Sequence, residues 1–330
     1  DPELHIVGEA ADGKQAIELC SALHPDVISM DMMLPVMSGL AATEYVMAHF
    51  PTPILVVSAS WNRGELFKTY EALAAGAVDV LEKPSGHEPE GAWEARYLAS
   101  IKMVSRIKVI THPRARLNYP VARHEQIMAP LRERSGTKFS VVAIGASTGG
   151  PSAIVDVLRG LPDTFNVPVL FVLHIGEPFG TAFADWLDGQ TSRRVAYARD
   201  GETVASASGR VVMAPPDRHL VVDGGRMRLT KEPERHSCRP SVDVLFESIA
   251  RQYGPSAIGC LLTGMGRDGA SGLGAIRAAG GATIAQDEAS SVVYGMPREA
   301  ALIGAAESVL PLQHIATAVC RLAQDAENGR

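Results

Sequence analysis

The sequence is poor in cysteine, and it has no long apolar run. The 4 cysteines among its 330 residues are Cys20, Cys238, Cys260 and Cys320, and none of them forms a C-x-x-C pair or a metal-type spacing. This usage favours reduced thiols over a disulfide framework. No apolar stretch reaches the length of a membrane span, and no signal-peptide pattern opens the chain. We therefore expect a cytoplasmic protein that does not insert into a membrane.

The sequence also lacks a strong excess of charge, internal repeats and low-complexity tracts. Its formal net charge is -6 at pH 7, which argues against nucleic acid as a main partner, because phosphate recognition needs a basic surface. The length suits two domains, each large enough for its own core. A basic, proline-bearing stretch over 110–138 is typical of a linker. We therefore predict an N-terminal domain over 1–109 and a C-terminal domain over 139–330.

The most informative segment is the glycine-rich run over 145–150, which holds Ser147. An apolar run over 141–144 predicts a buried strand before it, and Pro151 opens a helical pattern after it. Ser147 is therefore expected at a strand-to-helix turn, where glycines permit positive φ and the helix N-terminus offers unpaired N–H groups. The run fits the G-x-S-x-G nucleophile elbow. Taken alone, it leaves a phosphate-binding turn or a purely structural turn open.

Two later strands deliver candidate partners for Ser147. One apolar run ends at His174, and another leads into a second glycine-rich turn that carries Asp268. Ligands of open parallel α/β sheets bind outside the carboxyl ends of the strands, so we expect the three side chains to converge there. The predicted roles are nucleophile for Ser147, general base and then acid for His174, and imidazole orientation for Asp268. Because α/β-hydrolases carry the order Ser, Asp, His, the order here predicts a different α/β fold.

Other ionisable side chains compete for these roles. A histidine that simply caps its strand is the alternative interpretation of His174, although no competing histidine follows so long a buried strand. Two arginines are candidates for orienting a substrate carboxylate, with surface or structural pairing as the equal alternative. The competing histidines are His219, His236 and His314, and the arginines are Arg239 and Arg298.

The first third of the chain carries a second set of strand-end residues. Three short apolar runs lead to Asp31, Ser58 and Lys83. Such a set suits a carboxylate that accepts a phosphoryl group, with a hydroxyl and an ammonium contacting its oxygens. The set resembles the receiver domain of response regulators. The resemblance implies Asp31 as phosphoacceptor, Ser58 and Lys83 as switch residues, and a histidine kinase as the phosphodonor.

The receiver resemblance also predicts what this segment lacks. Residues 1–7 match the second strand of a receiver, so the acidic first strand and the first helix, on the order of 20 to 30 residues, are missing from the sequence. In the family, the acidic pair on that strand holds Mg²⁺. Asp31 alone is expected to bind a divalent cation weakly, because Mg²⁺ sites recruit more than one carboxylate or a phosphate. We therefore expect an incomplete Mg²⁺ site at Asp31.

The C-terminal motifs together resemble the bacterial chemotaxis protein-glutamate methylesterases. The resemblance spans residues 139–325 and implies a triad at Ser147, His174 and Asp268, with oxyanion-hole N–H groups at Thr148 and Met265. It further implies hydrolysis of glutamate γ-methyl esters on the cytoplasmic helices of methyl-accepting chemoreceptors, without a cofactor. Many members also deamidate receptor glutamines. Besides the Ser147 turn and His174, the resemblance rests on the motifs at 239–246, 262–269 and 295–300.

The chain departs from the family pattern at three places near the triad. The run Ile-Gly-Glu-Pro over 175–178 follows His174 where a Met-Pro-Pro run is usual, Cys238 stands in place of a histidine, and Arg267 in place of an asparagine. These changes leave the triad intact and bear on substrate fit. Two alternatives therefore stay open: a serine hydrolase of another ester or amide, and a non-enzymatic signalling module.

The predicted architecture is α/β in both domains. The N-terminal domain is expected to be a flavodoxin-like receiver, and the C-terminal domain a mostly parallel, doubly wound sheet. Apolar stretches over 210–214, 220–222 and 226–229, with a glycine turn at 223–225, predict a small antiparallel β appendage.

Overall fold

The computed structural model describes residues 1–59, 62–86, 88–107, 109 and 138–325. The chain divides into two compact units, Asp1–His124 and Glu125–Arg330. The division falls inside the predicted linker over 110–138, of which residues 110–137 lie outside the described part. The boundaries at 109 and 139 therefore stay predictions. None of the described helices is both long enough and apolar enough to cross a membrane.

The described N-terminal unit is a parallel three-stranded sheet with four helices. The strands pair in the order β1, β2, β3, so their carboxyl ends at Asp31, Ser58 and Glu82 share one edge. The three strands predicted from the sequence are thereby confirmed. The elements are α1 (Gly13–Leu23), β1 (Ile28–Asp31), α2 (Gly39–His49), β2 (Ile54–Ser58), α3 (Arg63–Ala74), β3 (Asp79–Glu82) and α4 (Ala92–Val104).

The prediction of a strand over residues 1–7 is wrong. No strand is assigned there, and the first residues instead lie against α4, where Lys102 pairs with Asp1 at 3.0 Å and with Glu3 at 2.9 Å. A strand needs a neighbour that satisfies its N–H and C=O groups, and no described strand lies beside this segment. Ile6 and Val7 are consequently 75% and 51% exposed.

The C-terminal unit is built on a seven-stranded sheet. Its elements are β4 (Val141–Ala146), α5 (Gly150–Arg159), β5 (Val169–Leu173), α6 (Phe183–Asp188), β6 (Val195–Tyr197), β7 (Val211–Met213), β8 (His219–Asp223), β9 (Arg226–Thr230), α7 (Val242–Tyr253), β10 (Ala257–Leu261), α8 (Ala270–Ala278), β11 (Ala282–Gln286), α9 (Met296–Leu302), β12 (Ser308–Leu310) and α10 (Leu312–Asp325). The strand order is β12-β11-β10-β4-β5-β7-β6, and each of these neighbouring pairs is parallel.

The strand order reverses between β4 and β10. On one side of β4 lie β5, β7 and β6, and the chain forms the edge strand β6 before it returns to form β7 between β5 and β6. It then crosses to the other side of β4 and continues outward through β10, β11 and β12. Helix α5 packs against α10, and helix α8 packs against both α7 and α9. This is the doubly wound arrangement predicted from the sequence, and its switch point is where such sheets bind ligands.

One part of the predicted antiparallel appendage is wrong. The stretch over 210–214 forms β7, which pairs in parallel with β5 and β6 inside the main sheet. Within the described residues, the antiparallel hairpin consists of β8 and β9, with Asp223 opposite Arg226 across the glycine turn. Short apolar runs do not reveal their partners, because pairing between strands that are not joined by a tight turn is decided by tertiary packing.

Helices α7 and α8 pack so closely that one glycine has no space for a side chain. A Cβ on Gly272 would lie 2.7 Å from Phe246 Cβ and 3.0 Å from the Asp243 carbonyl oxygen. Phe246 is fully buried, so it has little freedom to move away in a close-packed interior. On the same helix, a Cβ on Gly274 would meet only Ala305, at 3.6 Å.

These two glycines give a matched test of the helix packing. We expect Gly272→Ala to lower the free energy of unfolding by about 1–3 kcal/mol through overpacking. Gly274→Ala should raise it by about 0.5–1 kcal/mol, because alanine restricts the unfolded chain and favours helix. Urea denaturation followed by circular dichroism measures both. Equal effects of the two substitutions would contradict the close approach of α7 and α8 at Gly272.

Candidate active site

Three strand ends meet at the switch point of the large sheet. Gly145 near the end of β4 pairs with both neighbouring strands, β5 and β10. Ser147 follows β4, His174 follows β5, and Asp268 lies in the loop after β10. Adjacent strands are about 4.8 Å apart, so the register brings these three residues to one edge of the sheet.

The turn that carries Ser147 is held on both sides. The Ser147 N–H donates to the Thr263 carbonyl at 3.0 Å, and the Ser147 carbonyl accepts from the Gly150 N–H at 2.7 Å. Gly149 has φ +75°, and a Cβ there would lie 2.5 Å from Val292 Cβ. Glycine is therefore required twice at this position, by backbone conformation and by space.

Two backbone N–H groups lie beside Ser147. One belongs to Thr148, the next residue, and the other to Met265. Gly264 holds Met265 close, because a Cβ on Gly264 would lie 2.8 Å from Ser147 Cβ, and the Gly264 N–H is anchored on the Val293 carbonyl at 3.0 Å. Within the described residues, neither the Thr148 nor the Met265 N–H donates a hydrogen bond. Unpaired N–H groups next to a serine suit a developing oxyanion.

The Asp268 carboxylate is 2% exposed and accepts four hydrogen bonds. Its Oδ1 accepts from the Ser241 hydroxyl at 2.8 Å and from the Asp243 N–H at 3.1 Å. Its Oδ2 accepts from the Val242 N–H at 2.7 Å and from His174 Nε2 at 2.9 Å. Three of the four donors come from the N-terminus of α7, where the helix dipole favours a negative charge.

The proton positions follow from this carboxylate. Burial alone would raise the pKa of Asp268, but the hydrogen bond and charge of His174, with the Ser241 hydroxyl, bring it below its ordinary value. The carboxylate is therefore ionised at neutral pH and only accepts, so His174 Nε2 carries the shared proton. In the neutral imidazole, Nδ1 is then the basic nitrogen.

His174 Nδ1 faces a thiol. Its contact is Cys238 Sγ at 3.7 Å, and the His174 side chain is 13% exposed. Burial works to lower the pKa of His174, but the hydrogen bond to Asp268 and the neighbouring Cys238 outweigh it and raise the pKa to about 9. Among the described residues, the Ser147 hydroxyl makes no hydrogen bond. Catalytic hydrogen bonds are often long before substrate binds.

A second buried carboxylate, Asp243, supports the first. It accepts from the Gly272 N–H at 2.6 Å, which ties α7 to α8, and from His236 Nε2 at 3.1 Å. Arg235 Nε lies 3.7 Å from the same carboxylate. Burial raises the pKa of Asp243. Arg267 Nε donates to His236 Nδ1 at 3.4 Å, so one of the family departures touches this supporting layer.

Four of the five competing histidines and arginines have other partners. Buried His219 accepts the Ser241 N–H at 3.2 Å on Nδ1 and faces the Pro233 carbonyl at 3.1 Å with Nε2, so it braces the start of α7. Arg239 is bound to Asp217 at 2.8 and 2.5 Å. His236 lies in the layer behind Asp268, His314 lies in α10, and Arg298 lies 3.9 Å from Glu299.

The sequence analysis missed the roles of Ser241 and Cys238. Ser241 is the N-cap of α7, and its hydroxyl accepts the Val244 N–H at 3.4 Å; a serine before a helical pattern is the signal that indicates such a cap. Cys238 reaches His174 from a two-residue turn in which His236 and Ser237 have φ 53° and 58°. Left-handed residues that are neither glycine nor asparagine are rare, so the sequence carries no signal for this turn.

The receiver-like residues are only partly brought together. Asp31 Oδ2 accepts from Lys83 Nζ at 2.5 Å, and Asp31 Oδ1 accepts from the Met33 N–H at 3.0 Å. Ser58 is buried, and its hydroxyl accepts from the Thr69 hydroxyl at 3.0 Å. The predicted switch hydroxyl therefore bonds to α3, whereas the predicted lysine contacts Asp31 directly.

The incomplete Mg²⁺ site at Asp31 stays a prediction. Within the described part of the chain, the clusters of three potential metal ligands lie in the C-terminal unit, and none includes Asp31. Both Asp31 oxygens already accept hydrogen bonds, from Lys83 and from Met33. Mg²⁺ prefers an octahedral set of oxygens, so an ion at Asp31 would have to compete with these two hydrogen bonds.

Comparison with known proteins gives a matching two-part division. Residues 142–319 match the CheB methylesterase family, and residues 1–89 match the response regulator receiver domain. A protein-glutamate methylesterase/protein-glutamine glutaminase 2 of Anaeromyxobacter dehalogenans (strain 2CP-C) is 42% identical over 322 residues, which cover 98% of this chain and 90% of that protein. A protein-glutamate methylesterase/protein-glutamine glutaminase 1 of Syntrophus aciditrophicus (strain SB) is 43% identical over 330 residues, with 98% and 92% covered.

A solved structure resembles the C-terminal unit. The crystal structure of the Thermotoga maritima CheB methylesterase catalytic domain matches with a TM-score of 0.53 and 35% sequence identity. The match covers 56% of this chain and 99% of that one. The similarity thus extends over that catalytic domain almost from end to end.

Proposed function

The chain belongs to the CheB methylesterase family, and we propose on that basis that it is a phosphorylation-regulated protein-glutamate methylesterase and protein-glutamine glutaminase. Its substrates are glutamate γ-methyl esters, and glutamines, of chemoreceptors, and its role is adaptation in chemotaxis. Relatives more than 40% identical over nearly the whole chain carry the same activity in their names. The observation that supports the chemistry most directly is the hydrogen bond between His174 Nε2 and the buried Asp268 carboxylate.

In the proposed acylation step, the Ser147 hydroxyl attacks the carbonyl carbon of the ester. His174 Nδ1 takes the hydroxyl proton as the C–O bond forms, and the carbonyl oxygen becomes an oxyanion. The N–H groups of Thr148 and Met265 donate to that oxygen. The intermediate collapses with loss of methanol, to which His174 returns the proton. An acyl-enzyme on Ser147 remains.

In the proposed deacylation step, water is the nucleophile. His174 Nδ1 takes a proton from the water as the water oxygen attacks the acyl carbon. The second oxyanion then collapses, the bond to Ser147 breaks, and His174 returns the proton to the Ser147 oxygen. The product is the glutamate carboxylate. For a glutamine substrate the leaving group is ammonia instead of methanol. These steps use only the groups of this chain and water, without a cofactor.

Asp268 acts through His174 in this scheme. Each step creates an imidazolium, and a carboxylate 2.9 Å from Nε2 stabilises it. The ionised state of Asp268 is supported by the three donors from α7. Cys238 and Arg267, where the family has other residues, lie beside this apparatus. They keep a hydrolase of another ester or amide as the second candidate.

The receiver-like unit is proposed to couple this activity to phosphorylation. Asp31 is the proposed phosphoacceptor, and Lys83 at 2.5 Å is placed to contact a phosphoryl oxygen. A histidine kinase is the proposed phosphodonor, and the cytoplasmic helices of methyl-accepting chemoreceptors are the proposed partners. The cytoplasm is the proposed location, because both proposed partners act there.

The first test removes the proposed nucleophile. We expect Ser147→Ala to lose at least ~10³-fold of the turnover, because removing one member of a triad abolishes the covalent route. Methanol release from methylated receptor membranes measures it, and Ser271→Ala, an exposed serine of α8, should behave as wild type. Turnover above about a tenth of wild type in Ser147→Ala would refute the assignment. Labelling of Ser147 by a fluorophosphonate without methanol release would favour the hydrolase of another substrate.

The second test is the pH dependence of the hydrolysis. A general base works in its neutral form, and the pKa of His174 is raised to about 9. We therefore expect kcat/KM to rise about tenfold per pH unit through neutrality and to level off near that pKa. The Ser147→Ala variant supplies the uncatalysed background at each pH. A profile that is flat between about pH 6 and 9 would mean that His174 is already neutral or is not the base.

The third test concerns Asp31. Because Mg²⁺ sites recruit more than one carboxylate or a phosphate, the predicted incomplete site at Asp31 leads us to expect weak labelling of this chain by acetyl phosphate with Mg²⁺. Asp31→Asn should abolish the labelling that occurs, and Asp26→Asn, an exposed neighbour, should leave it unchanged. Phosphate incorporation measured by intact-protein mass spectrometry gives the result. Stoichiometric labelling would contradict the incomplete site, and labelling that survives Asp31→Asn would exclude Asp31 as the acceptor.

A further inference from the structure

We propose that His174 Nδ1 and Cys238 Sγ form a binding site for a thiophilic divalent cation, with Zn²⁺ as its preferred occupant, and that the bound ion blocks hydrolysis. The inhibition rests on the proposed function, whereas the binding does not. Within the described residues, His174, Cys238 and Asp268 form a cluster whose ligand atoms all lie within 4.8 Å of one another.

The distance between the two ligand atoms fits a tetrahedral ion. Zn–N bonds of about 2.0–2.1 Å and Zn–S bonds of about 2.3 Å place nitrogen and sulfur about 3.6 Å apart in a tetrahedron. Nδ1 and Sγ are 3.7 Å apart. The separation of the two atoms therefore matches the one that a Zn²⁺ ion bound to both would require. Imidazole nitrogen and thiolate are also the ligands that zinc prefers.

The surroundings of His174 are those of a metal-binding histidine. Zinc-bound histidines commonly donate their other ring N–H to a carboxylate, which fixes the ring and its tautomer. His174 Nε2 makes this bond to Asp268 at 2.9 Å, and the donors of α7 hold that carboxylate in place. Asp268 therefore supports the site without being a ligand, and Nδ1 is the ring nitrogen that binds the ion after it loses its proton.

Cys238 differs from the other thiols of the chain. It is half-buried on the turn after Arg235, with His174 Nδ1 as its neighbour, so an ion from solvent has access to it. Cys260 is fully buried, and burial raises the pKa of its thiol to about 12. Among the described residues, Cys238 is the one cysteine that belongs to a cluster of potential metal ligands.

The bound ion would act directly on the proposed mechanism. Zn²⁺ binds the thiolate and Nδ1, and both the thiol proton and the Nδ1 proton of the imidazolium leave to solvent. The lone pair of Nδ1 is the one that accepts the proton of Ser147, so the loaded site has no general base. Two protein ligands, with water completing the coordination, hold zinc less firmly than the four ligands of structural sites. The block is therefore reversible by a chelator.

The direct test uses the full chain and needs no substrate. Co²⁺ is the spectroscopic probe, and we expect a near-ultraviolet thiolate-to-cobalt absorption band in the wild type. Cys238→Ser should abolish the band, and Cys320→Ser, at the other half-buried thiol, should retain it. Calorimetry with Zn²⁺ should show at least about a tenfold weaker affinity in Cys238→Ser, the size of loss expected when a metal site loses a supporting group. Absence of the band in the wild type, or equal zinc affinity in Cys238→Ser, would overturn the site.

A second variant guards against misfolding. Cys238→His places a nitrogen ligand at the same position, so we expect it to bind Zn²⁺ but to lack the thiolate band. Urea denaturation shows whether each variant folds. A Cys238→His protein that folds and fails to bind zinc would count against the geometry.

The inhibition is then measured separately. Zn²⁺ should suppress methanol release by the wild type, and EDTA should restore it. In Cys238→Ser the zinc concentration for half-inhibition should rise at least about tenfold. Zinc binding at Cys238 without inhibition would refute the block while leaving the site. If the chain releases no methanol under any condition, the proposed function fails, and the cobalt band still decides the metal site.

Discussion

The buried Asp268 carboxylate at the N-terminus of α7 is the interaction on which the site depends. Its oxygens join four parts of the chain: the loop after β10, the first turn of α7, the Ser241 cap, and His174 after β5. A buried charge is destabilising unless it is fully hydrogen-bonded. Here four donors satisfy it, and the helix dipole adds to them. The hydrogen bonds that stabilise the buried charge of Asp268 include the one that orients the His174 imidazole. The same set of bonds therefore serves both folding and catalysis.

The residues behind Asp268 hold α7 in place through contacts with α8 and β8. Asp243 ties α7 to α8 through the Gly272 N–H, and His219 braces the Ser241 N–H from β8. The close approach at Gly272 leaves no space for even a methyl group. Removing one member of such a network leaves buried partners unsatisfied, which costs more than the bond itself contributes. The position of His174 Nδ1 therefore depends on the packing of α7 against α8, although neither helix contains His174.

Both proposals, hydrolysis and metal binding, depend on His174 Nδ1. The hydrogen bond to Asp268 leaves Nδ1 of His174 as the basic atom, and Cys238 lies 3.7 Å from it. For hydrolysis this lone pair must be free to take the serine proton. For metal binding it must be occupied. The Cys238 thiol thus allows a metal ion to compete with the Ser147 proton for Nδ1. The histidine usual in the family at this position would offer a nitrogen ligand in place of sulfur.

The sequence by itself determined the strand ends, the residues that stand at them and the division into two domains. Apolar runs that end in Ser147, His174 or Asp31 predict parallel strands, and parallel strands share their carboxyl edge. Local pattern was insufficient where long-range pairing decides. It misplaced the stretch over 210–214, which pairs inside the main sheet. It also predicted a strand over 1–7, beside which no described strand lies. The contact between Cys238 and His174 was also decided by tertiary structure, because it requires a left-handed turn at His236 and Ser237 whose conformation is sustained by the surrounding packing and not by the residues themselves.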